Sequence, residues 1–230
     1  MKILESLQDR IPETEGLHRA VVLGPDSGGS RISAVLVRVP PQHEFPLHIH
    51  PRSEDCFFVL SGAGEAFSPD QRFLISEVAG VWIPAGVPHG LAAGALGVLE
   101  IGFQSPPGPT VEPINSCALG NGPYGIVAAS MSLEPESSRA MPEWRPVFAE
   151  RPAWRYLDPQ YCVLKTSQQL NAVADGCELL VVVVRGAIEL PESAASVSAI
   201  AVVQLSAGES EVLHALEANT LLLGIRASAA

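Results

Sequence analysis

Short apolar runs separated by glycine and proline recur along most of the chain. The run RISAVLVRV occupies residues 31–39, and further apolar runs follow at residues 56–60, 78–83 and 96–103. Runs of this length between turn residues are typical of β-strands. The 20 Gly and 20 Pro residues fit a protein with many turns and few helices. The pattern predicts an all-β fold, an antiparallel sandwich or barrel.

Charge and composition narrow the functional classes. The 230 residues include 14 Lys and Arg against 25 Asp and Glu, and the net charge of −11 disfavours nucleic acids and anionic membranes as partners. Charged residues in the first segment, MKILESLQDR, argue against a signal peptide, and no apolar run is long enough for a membrane span. The four cysteines form no C-x-x-C pair. We expect a cytoplasmic protein with free thiols that binds neither nucleic acid nor membranes.

The segment PLHIHPRSEDCFFVLSG, residues 46–62, carries the strongest chemical signal. His48 and His50 point to the same side of an extended strand, because side chains alternate between the two faces. Asp55 stands at the start of the next apolar run, and His89 follows in the segment PAGVPH. Imidazole and carboxylate groups that meet from adjacent antiparallel strands can bind a first-row transition metal. These four residues are the candidate metal ligands.

The two histidine segments resemble the motifs of the cupin family. The first cupin motif reads G-x5-H-x-H-x(3,4)-E-x6-G, and here the H-x-H pair is followed by Asp55 and, after six residues, by Gly62. The second motif reads G-x5-P-x-G-x2-H-x3-N and is matched at three residues: Pro84, Gly86 and His89. The chain departs from the motifs at four positions: Gln42 and Val78 replace glycines, Asp55 replaces Glu, and Ala93 replaces Asn. The resemblance implies a jelly-roll β-barrel.

The spacing leaves two candidates for the carboxylate ligand. Counting back from Gly62 selects Asp55, whereas the three-residue spacing after His50 selects Glu54. Adjacent residues of a strand face opposite sides, so only one of the two can face the metal.

The second half of the chain repeats the first. A shift of 124 residues places EDCFFVLSGAGE, residues 54–65, on ELLVVVVRGAIE, residues 178–189. A shift of 122 residues then places Ala85-Gly86 on Ala207-Gly208. We therefore predict two tandem antiparallel jelly-roll barrels, a bicupin. The predicted boundaries are 1–105 for a metal-binding barrel, 106–155 for a Pro-rich connector and 156–230 for a degenerate barrel.

The same shifts predict that the second barrel has lost its metal site. The four candidate ligands correspond to residues that cannot hold a divalent ion: His48 to Ala172, His50 to Ala174, Asp55 to Leu179 and His89 to Glu211. The apolar partner of Asp55 indicates that Asp55 faces the interior, whereas Glu54 aligns with a retained Glu178 and is expected outside or at the rim. We expect one divalent transition metal per chain, among Fe, Mn, Ni, Zn and Cu.

The function follows less directly from these residues, because one fold supports many reactions. The resemblance to cupins implies dioxygenases of the quercetinase and β-diketone-cleaving kind, isomerases, decarboxylases and non-enzymatic binders. Six aromatic residues could line the pocket: Phe45, Phe57, Phe58, Phe67, Phe73 and Trp82. An apolar pocket, with few Lys or Arg residues near the motifs, favours a small organic substrate over a phosphorylated sugar.

We expect a metal-dependent oxidoreductase, dioxygenase-like, acting on a small organic molecule. The alternatives are a metal-dependent isomerase, a non-catalytic ligand-binding or regulatory cupin, and a structural or storage bicupin without metal. Because sheet edges are normally covered by partners, we also expect a homodimer, with residues 1–30 crossing between subunits.

Overall fold

The computed structural model describes residues 1–4, 7–11, 16–108, 112–114, 125–134, 142–149 and 156–228. The chain divides into two compact units: the first unit is Ile11–Ser130, and the second unit combines Met1–Arg10 with Met131–Ala230. Every strand pairing among the described residues is antiparallel. The all-β antiparallel fold predicted from the sequence is confirmed.

The described part of the chain contains strands and two short 3-10 helices, Leu7–Arg10 and Pro25–Ser27. In chain order the strands are β1 (Lys2–Leu4), β2 (His18–Leu23), β3 (Ser33–Val39), β4 (Glu44–Ile49), β5 (Glu54–Phe67), β6 (Arg72–Ser76), β7 (Ala79–Ile83), β8 (His89–Ser105), β9 (Glu112–Pro113), β10 (Val127–Ser130), β11 (Arg145–Pro146), β12 (Leu157–Leu164), β13 (Gln169–Val173), β14 (Glu178–Arg185), β15 (Ala187–Leu190), β16 (Ala195–Ser198), β17 (Ala201–Leu205), β18 (Ser210–Ala215) and β19 (Thr220–Ala227).

The first unit is one curved sheet in the order β10-β7-β5-β8-β3-β2, with β4 joined to β8 and β6 joined to β5. The long strands β5 and β8 pair with each other along most of their length, and their register shifts near Gly62. Gly62 has a φ of 88°, and a Cβ there would lie 2.1 Å from the carbonyl oxygen of Gly97. Glycine is therefore required where the two strands bend together.

The second unit contains a six-stranded sheet, β1-β17-β14-β19-β12-β11, and a four-stranded sheet, β13-β18-β15-β16. The amino-terminal strand β1 belongs here, because Lys2–Leu4 pairs with residues 202–204 of the same chain. In the structure, Met1–Arg10 belongs to the second unit, whereas the predicted first barrel covers residues 1–105. Those boundaries and the crossing of residues 1–30 between subunits stay predictions.

The repeat detected in the sequence is present in the strand register. His48 of β4 is paired with His89 of β8, and the aligned residues are paired in the same way, Ala172 of β13 with Glu211 of β18. The turn before the last histidine is also repeated. The backbone N–H of Gly86 donates to the carbonyl oxygen of His50 at 2.9 Å, and that of Gly208 donates to the carbonyl oxygen of Ala174 at 2.7 Å.

Two residues that stand in place of motif glycines adopt the left-handed backbone conformation. Gln42 and Val78 stand where the motifs have glycine, and both have positive φ, 59° and 64°. A β-branched residue in this left-handed region is strained. The N–H of Val78 donates to the carbonyl oxygen of Val59 at 3.0 Å, which anchors the turn before β7.

Candidate metal centre

Three buried imidazoles meet inside the first unit. His48 lies on β4, His50 directly follows that strand, and His89 is the first residue of β8. Each is only 4% exposed, and their ligand atoms lie within 4.8 Å of one another. The pairing of β4 with β8 brings His48 opposite His89, while alternation along the chain places His50 on the same side as His48. Three residues from two segments could thus share one metal ion.

The hydrogen bonds of two of these rings leave the second ring nitrogen available for a metal. The Nδ1 atom of His48 lies 2.8 Å from the carbonyl oxygen of Pro46, and that of His89 lies 2.9 Å from the carbonyl oxygen of Val87. Because a carbonyl oxygen only accepts, Nδ1 must carry the proton in both rings. The lone pair of each neutral ring is therefore on Nε2, the arrangement found in metal-ligating histidines.

Asp55 joins the cluster from β5. Its Oδ2 atom lies 3.0 Å from Nε2 of His50 and 3.4 Å from Nε2 of His89. Burial alone would raise the pKa of this carboxyl group, but the neighbouring rings of His50 and His89 outweigh burial and hold the pKa well below its usual range. Asp55 is therefore a carboxylate at neutral pH and contributes a negative charge to the cluster.

His48 is neutral at physiological pH. Burial and the neighbouring His89 ring lower the pKa of His48 to about 3, and the other charged neighbours have smaller effects. A neutral imidazole is the form that coordinates a metal, so this ring needs no deprotonation step near pH 7.

The donor set fits a divalent transition metal. Nε2 of His89 and Oδ1 of Asp55 are buried polar atoms without a hydrogen-bond partner among the described residues. Buried polar atoms without partners are rare because each costs free energy. A cation bound by imidazole nitrogens and a carboxylate oxygen would satisfy these atoms, and this combination of ligands suits Fe, Mn, Ni, Zn or Cu.

The carboxylate next to Asp55 is buried as well. Glu54 was predicted outside or at the rim, and only 3% of it is exposed, so the face of β5 opposite Asp55 is covered at this position. Glu178, the aligned residue, is also buried, and its Oε1 accepts a hydrogen bond of 2.6 Å from Gln204. The two aligned glutamates are thus buried polar residues in both units.

A cavity lies beside the histidines, between β2, β3, β5 and β8. The space inside it that a water molecule can occupy is about 20 Å³, and the larger figure of about 310 Å³ counts all the space between atoms, including open solvent. Of the six aromatic residues proposed for the pocket, Phe45 and Phe57 line this cavity. Phe45 stacks on His48 with ring centroids 4.4 Å apart.

Sequence reasoning missed three polar residues that line the same cavity: Arg19, Glu100 and Gln104. The sequence predicted few basic residues near the site. Arg19 is an exception that this prediction missed, because it lies on β2, which is distant in sequence from the histidine motifs. Glu100 and Gln104 carried a signal: they interrupt the apolar strand LGVLEIGFQ at positions of equal parity. The side-chain nitrogen of Gln104 lies 3.2 Å from Nε2 of His50. These residues make the cavity more polar than predicted.

Comparison with protein families agrees with this fold. Residues 35–99 match the family model described as the cupin domain. No match was found among curated proteins. In the described residues, no helix has the length and apolar character required to cross a membrane.

Several solved structures share the fold across nearly the whole chain. The bacterial pirin YhhW from Escherichia coli, in complex with nickel(II), is 11% identical with a TM-score of 0.73, covering 100% of this chain and 99% of that one. A variant of salicylate 1,2-dioxygenase from Pseudoaminobacter salicylatoxidans is 12% identical with a TM-score of 0.72, covering 90% and 75%. Oxalate decarboxylase is 9% identical with a TM-score of 0.68, covering 95% and 74%. At these identities the likeness shows the fold alone.

Proposed function

On the premise that this chain is a member of the cupin superfamily, we propose that its first unit binds one divalent transition metal and catalyses an oxidative reaction. The ligands are His48, His50 and His89, with Asp55 as the carboxylate. The substrate is a small organic molecule, and the reaction is dioxygenase-like. The observation that carries this proposal is the convergence of three buried imidazoles on one point, beside a carboxylate.

The chain's own residues supply the binding and orientation. The backbone carbonyl groups of Pro46 and Val87 fix the tautomers of His48 and His89, so that both Nε2 atoms are ready to bind. Phe45 and Phe57 form an apolar wall beside the histidines and limit the entry of water. A metal in this site would supply polarisation of a substrate oxygen or activation of O₂.

The structural relatives support a metal-dependent reaction without naming it. One relative carries nickel(II), and others are a dioxygenase, also described in complex with gentisate, and a decarboxylase. Small molecules are thus the ligands named for these proteins, in agreement with a cavity of modest size. We further propose that the protein is a cytoplasmic homodimer, as expected from its sequence.

A non-catalytic ligand-binding protein is the second candidate. The observation that favours it is the small enclosed part of the cavity, about 20 Å³, which holds roughly one water molecule. A substrate and O₂ together would need more of the space at the mouth than a single small ligand does.

Oxygen uptake tests the proposed reaction. Metal-loaded protein is mixed with candidate enols, β-diketones and phenols in an oxygen-electrode cell, alongside chelator-treated protein and the His50→Ala variant. We expect substrate-dependent uptake in the metal-loaded protein and none in the other two. Metal-loaded protein that binds a candidate ligand without consuming O₂ would favour the second candidate instead.

A further inference from the structure

The cavity beside the metal centre is lined by the exposed Arg19 and by Glu100, whose buried Oε2 atom has no hydrogen-bond partner in the described part of the chain. We propose that Arg19 and Glu100 select the ligand: Arg19 pairs with the carboxylate of a small organic acid, and Glu100 forms a hydrogen bond with the same ligand. This inference rests on the proposed function, because it assigns the substrate class of that site.

Strand register places the two residues side by side. Arg19 on β2 is paired with Val37 on β3, and Val37 is paired with Glu100 on β8. Residues paired across neighbouring strands point to the same face of the sheet. Both long side chains therefore extend over Val37 into the cavity that they line.

Arg19 is available to a ligand. It is exposed, and within the described part of the chain it has no salt-bridge partner. Its guanidinium carbon lies 5.6 Å from the centre of the Phe45 ring, which itself stacks on His48. A guanidinium held over an aromatic ring keeps its N–H groups free for bidentate binding of a carboxylate. The stack fixes the positive charge near the metal centre.

Glu100 is only 5% exposed, and its Oε2 atom has no hydrogen-bond partner in the described residues. Burial and the negative charge of Asp55 raise the pKa of Glu100 well above its usual value, although Arg19 acts in the opposite direction. A protonated Glu100 does not repel an anionic ligand and can donate a hydrogen bond to it. An unsatisfied buried carboxyl group that lines a cavity is itself a sign of a missing partner.

Gly102 lines the cavity between Glu100 and the histidines and has no side chain to occupy it. It lies two residues beyond Glu100 on β8, and a Cβ there would lie 3.9 Å from Oδ1 of Asp55 and 3.8 Å from Cβ of Phe57. A ligand that contacts Arg19 and Glu100 can therefore extend over Gly102 towards the histidines. The space inside the cavity that a water molecule can occupy is only about 20 Å³, which favours small acids over larger ligands.

Calorimetric titration of the full-length protein with matched acid and amide pairs tests the proposal. The probes are acetate with acetamide and benzoate with benzamide. For the wild-type protein we expect the acid of at least one pair to bind about tenfold or more tightly than its amide, because charge-assisted hydrogen bonds are stronger than neutral ones. Equal binding of acid and amide, or no binding of either acid, would overturn the proposal. This comparison needs no variant.

Variants then locate the charge. Arg19→Gln should weaken binding of the acid by about tenfold or more, and Glu100→Leu, which removes the hydrogen-bonding group, should weaken it by about threefold or more. The matched control is Arg72→Gln, because Arg72 also lies over an aromatic ring, Phe67, at 5.1 Å. Equal weakening by Arg72→Gln, or none by Arg19→Gln, would refute the assignment.

Metal content measured on the same samples separates this inference from the proposed function. Arg19→Gln should retain the wild-type metal content. Protein without metal that still binds acids through Arg19 would refute the metal-dependent reaction and leave the ligand assignment standing. Protein that contains metal but binds acids no better than amides would refute the ligand assignment and leave the metal-dependent reaction standing.

Discussion

The first and second units place different residues at equivalent positions of the same strand register. Where the first unit has histidines and Asp55, the second has Ala172, Ala174, Leu179 and Glu211. The three apolar residues belong to the buried core of the second unit. Glu211 accepts hydrogen bonds from Ser193 Oγ at 2.7 Å and from the backbone N–H of Glu192 at 3.3 Å. Its carboxylate is thus already satisfied.

The difference extends to the ligand cavity. By the 122-residue shift, Gly102 corresponds to Gly224 and Glu100 to Leu222, a core residue. The Trp144 ring packs on Gly224: a Cβ there would lie 2.8 Å from Cζ3 of the ring. Trp144 immediately precedes β11, which pairs with β12 as β2 pairs with β3. An aromatic ring in the second unit therefore fills the space that is open over Gly102.

The two units thus combine the same strand register with different interiors. An apolar interior gains from burial of side chains, whereas a polar interior has to satisfy each buried group. Among the described residues, the site of the first unit retains buried polar atoms without hydrogen-bond partners, namely Oδ1 of Asp55, Nε2 of His89 and Oε2 of Glu100, and retention at that cost is typical of functional sites.

The largest effects should come from replacing the residues that distinguish the two units. His50→Ala and Asp55→Ala should lower metal affinity by more than the roughly 10- to 100-fold typical of residues that only support a ligand. His50→Ala should be at least as damaging as Asp55→Ala. The measurement is competitive titration with a chelator of known affinity. His214→Ala, in the second unit, is the control and should leave affinity unchanged.

Glu54→Ala separates the two adjacent carboxylates. We expect this variant to keep its metal, because the carboxylate of Asp55 lies 3.0 Å from Nε2 of His50 and 3.4 Å from Nε2 of His89. Glu54→Gln is the isosteric control in case removal of a buried side chain impairs folding. Loss of metal from both Glu54 variants, with metal retained in Asp55→Ala, would show that the carboxylate assignment is wrong by one residue.

A smaller effect concerns Glu100, which is Leu222 in the repeat. The raised pKa of Glu100 means that the folded protein holds a proton that the unfolded chain releases above about pH 4.3. Its contribution to stability is present below that pH and is lost as pH rises towards the folded pKa. The Glu100→Gln variant has no titrating carboxyl group at this position and does not lose stability in this way. The free energy of unfolding of the variant minus that of the wild type should therefore increase by up to about 1.4 kcal/mol per pH unit.

Urea unfolding of chelator-treated protein between pH 5 and 8, where the unfolded carboxyl is ionised, measures this difference. The lowered pKa of His48 acts with the opposite sign, since it reduces stability below about pH 6.5, but it is common to both proteins and cancels. Glu44→Gln is the control, because Glu44 is exposed on β4. A difference that is independent of pH would contradict the account.

The smallest effect concerns turn geometry. Gly62 and Gly186 occupy equivalent positions in the two units, and both have positive φ. Val78 also has positive φ, although it is not a glycine. Val78→Gly should relieve left-handed strain and raise the free energy of unfolding by on the order of 1 kcal/mol, measured by urea unfolding. Ala79→Gly, on the adjoining strand, should lower it by about 0.5–1 kcal/mol. Destabilisation by both changes would show that Val78 packing outweighs the strain.

The fold and the histidine cluster could be predicted because short segments encode them. Alternation along one strand sets the direction of His48 and His50, and the repeat showed which positions face the interior. The alignment of Leu179 with Asp55 agrees with the strand register of both units. Asp55 is the strand partner of Ile83, and Leu179 is the strand partner of the aligned Leu205.

The ligand-binding end of the cavity could not be predicted in the same way. Arg19 and Glu100 become neighbours only because β3 lies between β2 and β8 in the sheet. No local pattern specifies that order. Trp144 was assigned to a connector for the same reason, although it packs against the core of the second unit. The burial of Glu54 could not be predicted either, because alternation gives a face and does not show what covers it.

Metal analysis of protein purified anaerobically and without chelators tests the central claim most directly. The account predicts one equivalent of a divalent transition metal per chain, and none in a variant with His48, His50 and His89 all replaced by alanine. Two equivalents per chain, or metal retained by the triple variant, would contradict the assignment of a single centre to the first unit. Wild-type protein that binds no transition metal even after reconstitution would contradict the metal centre itself.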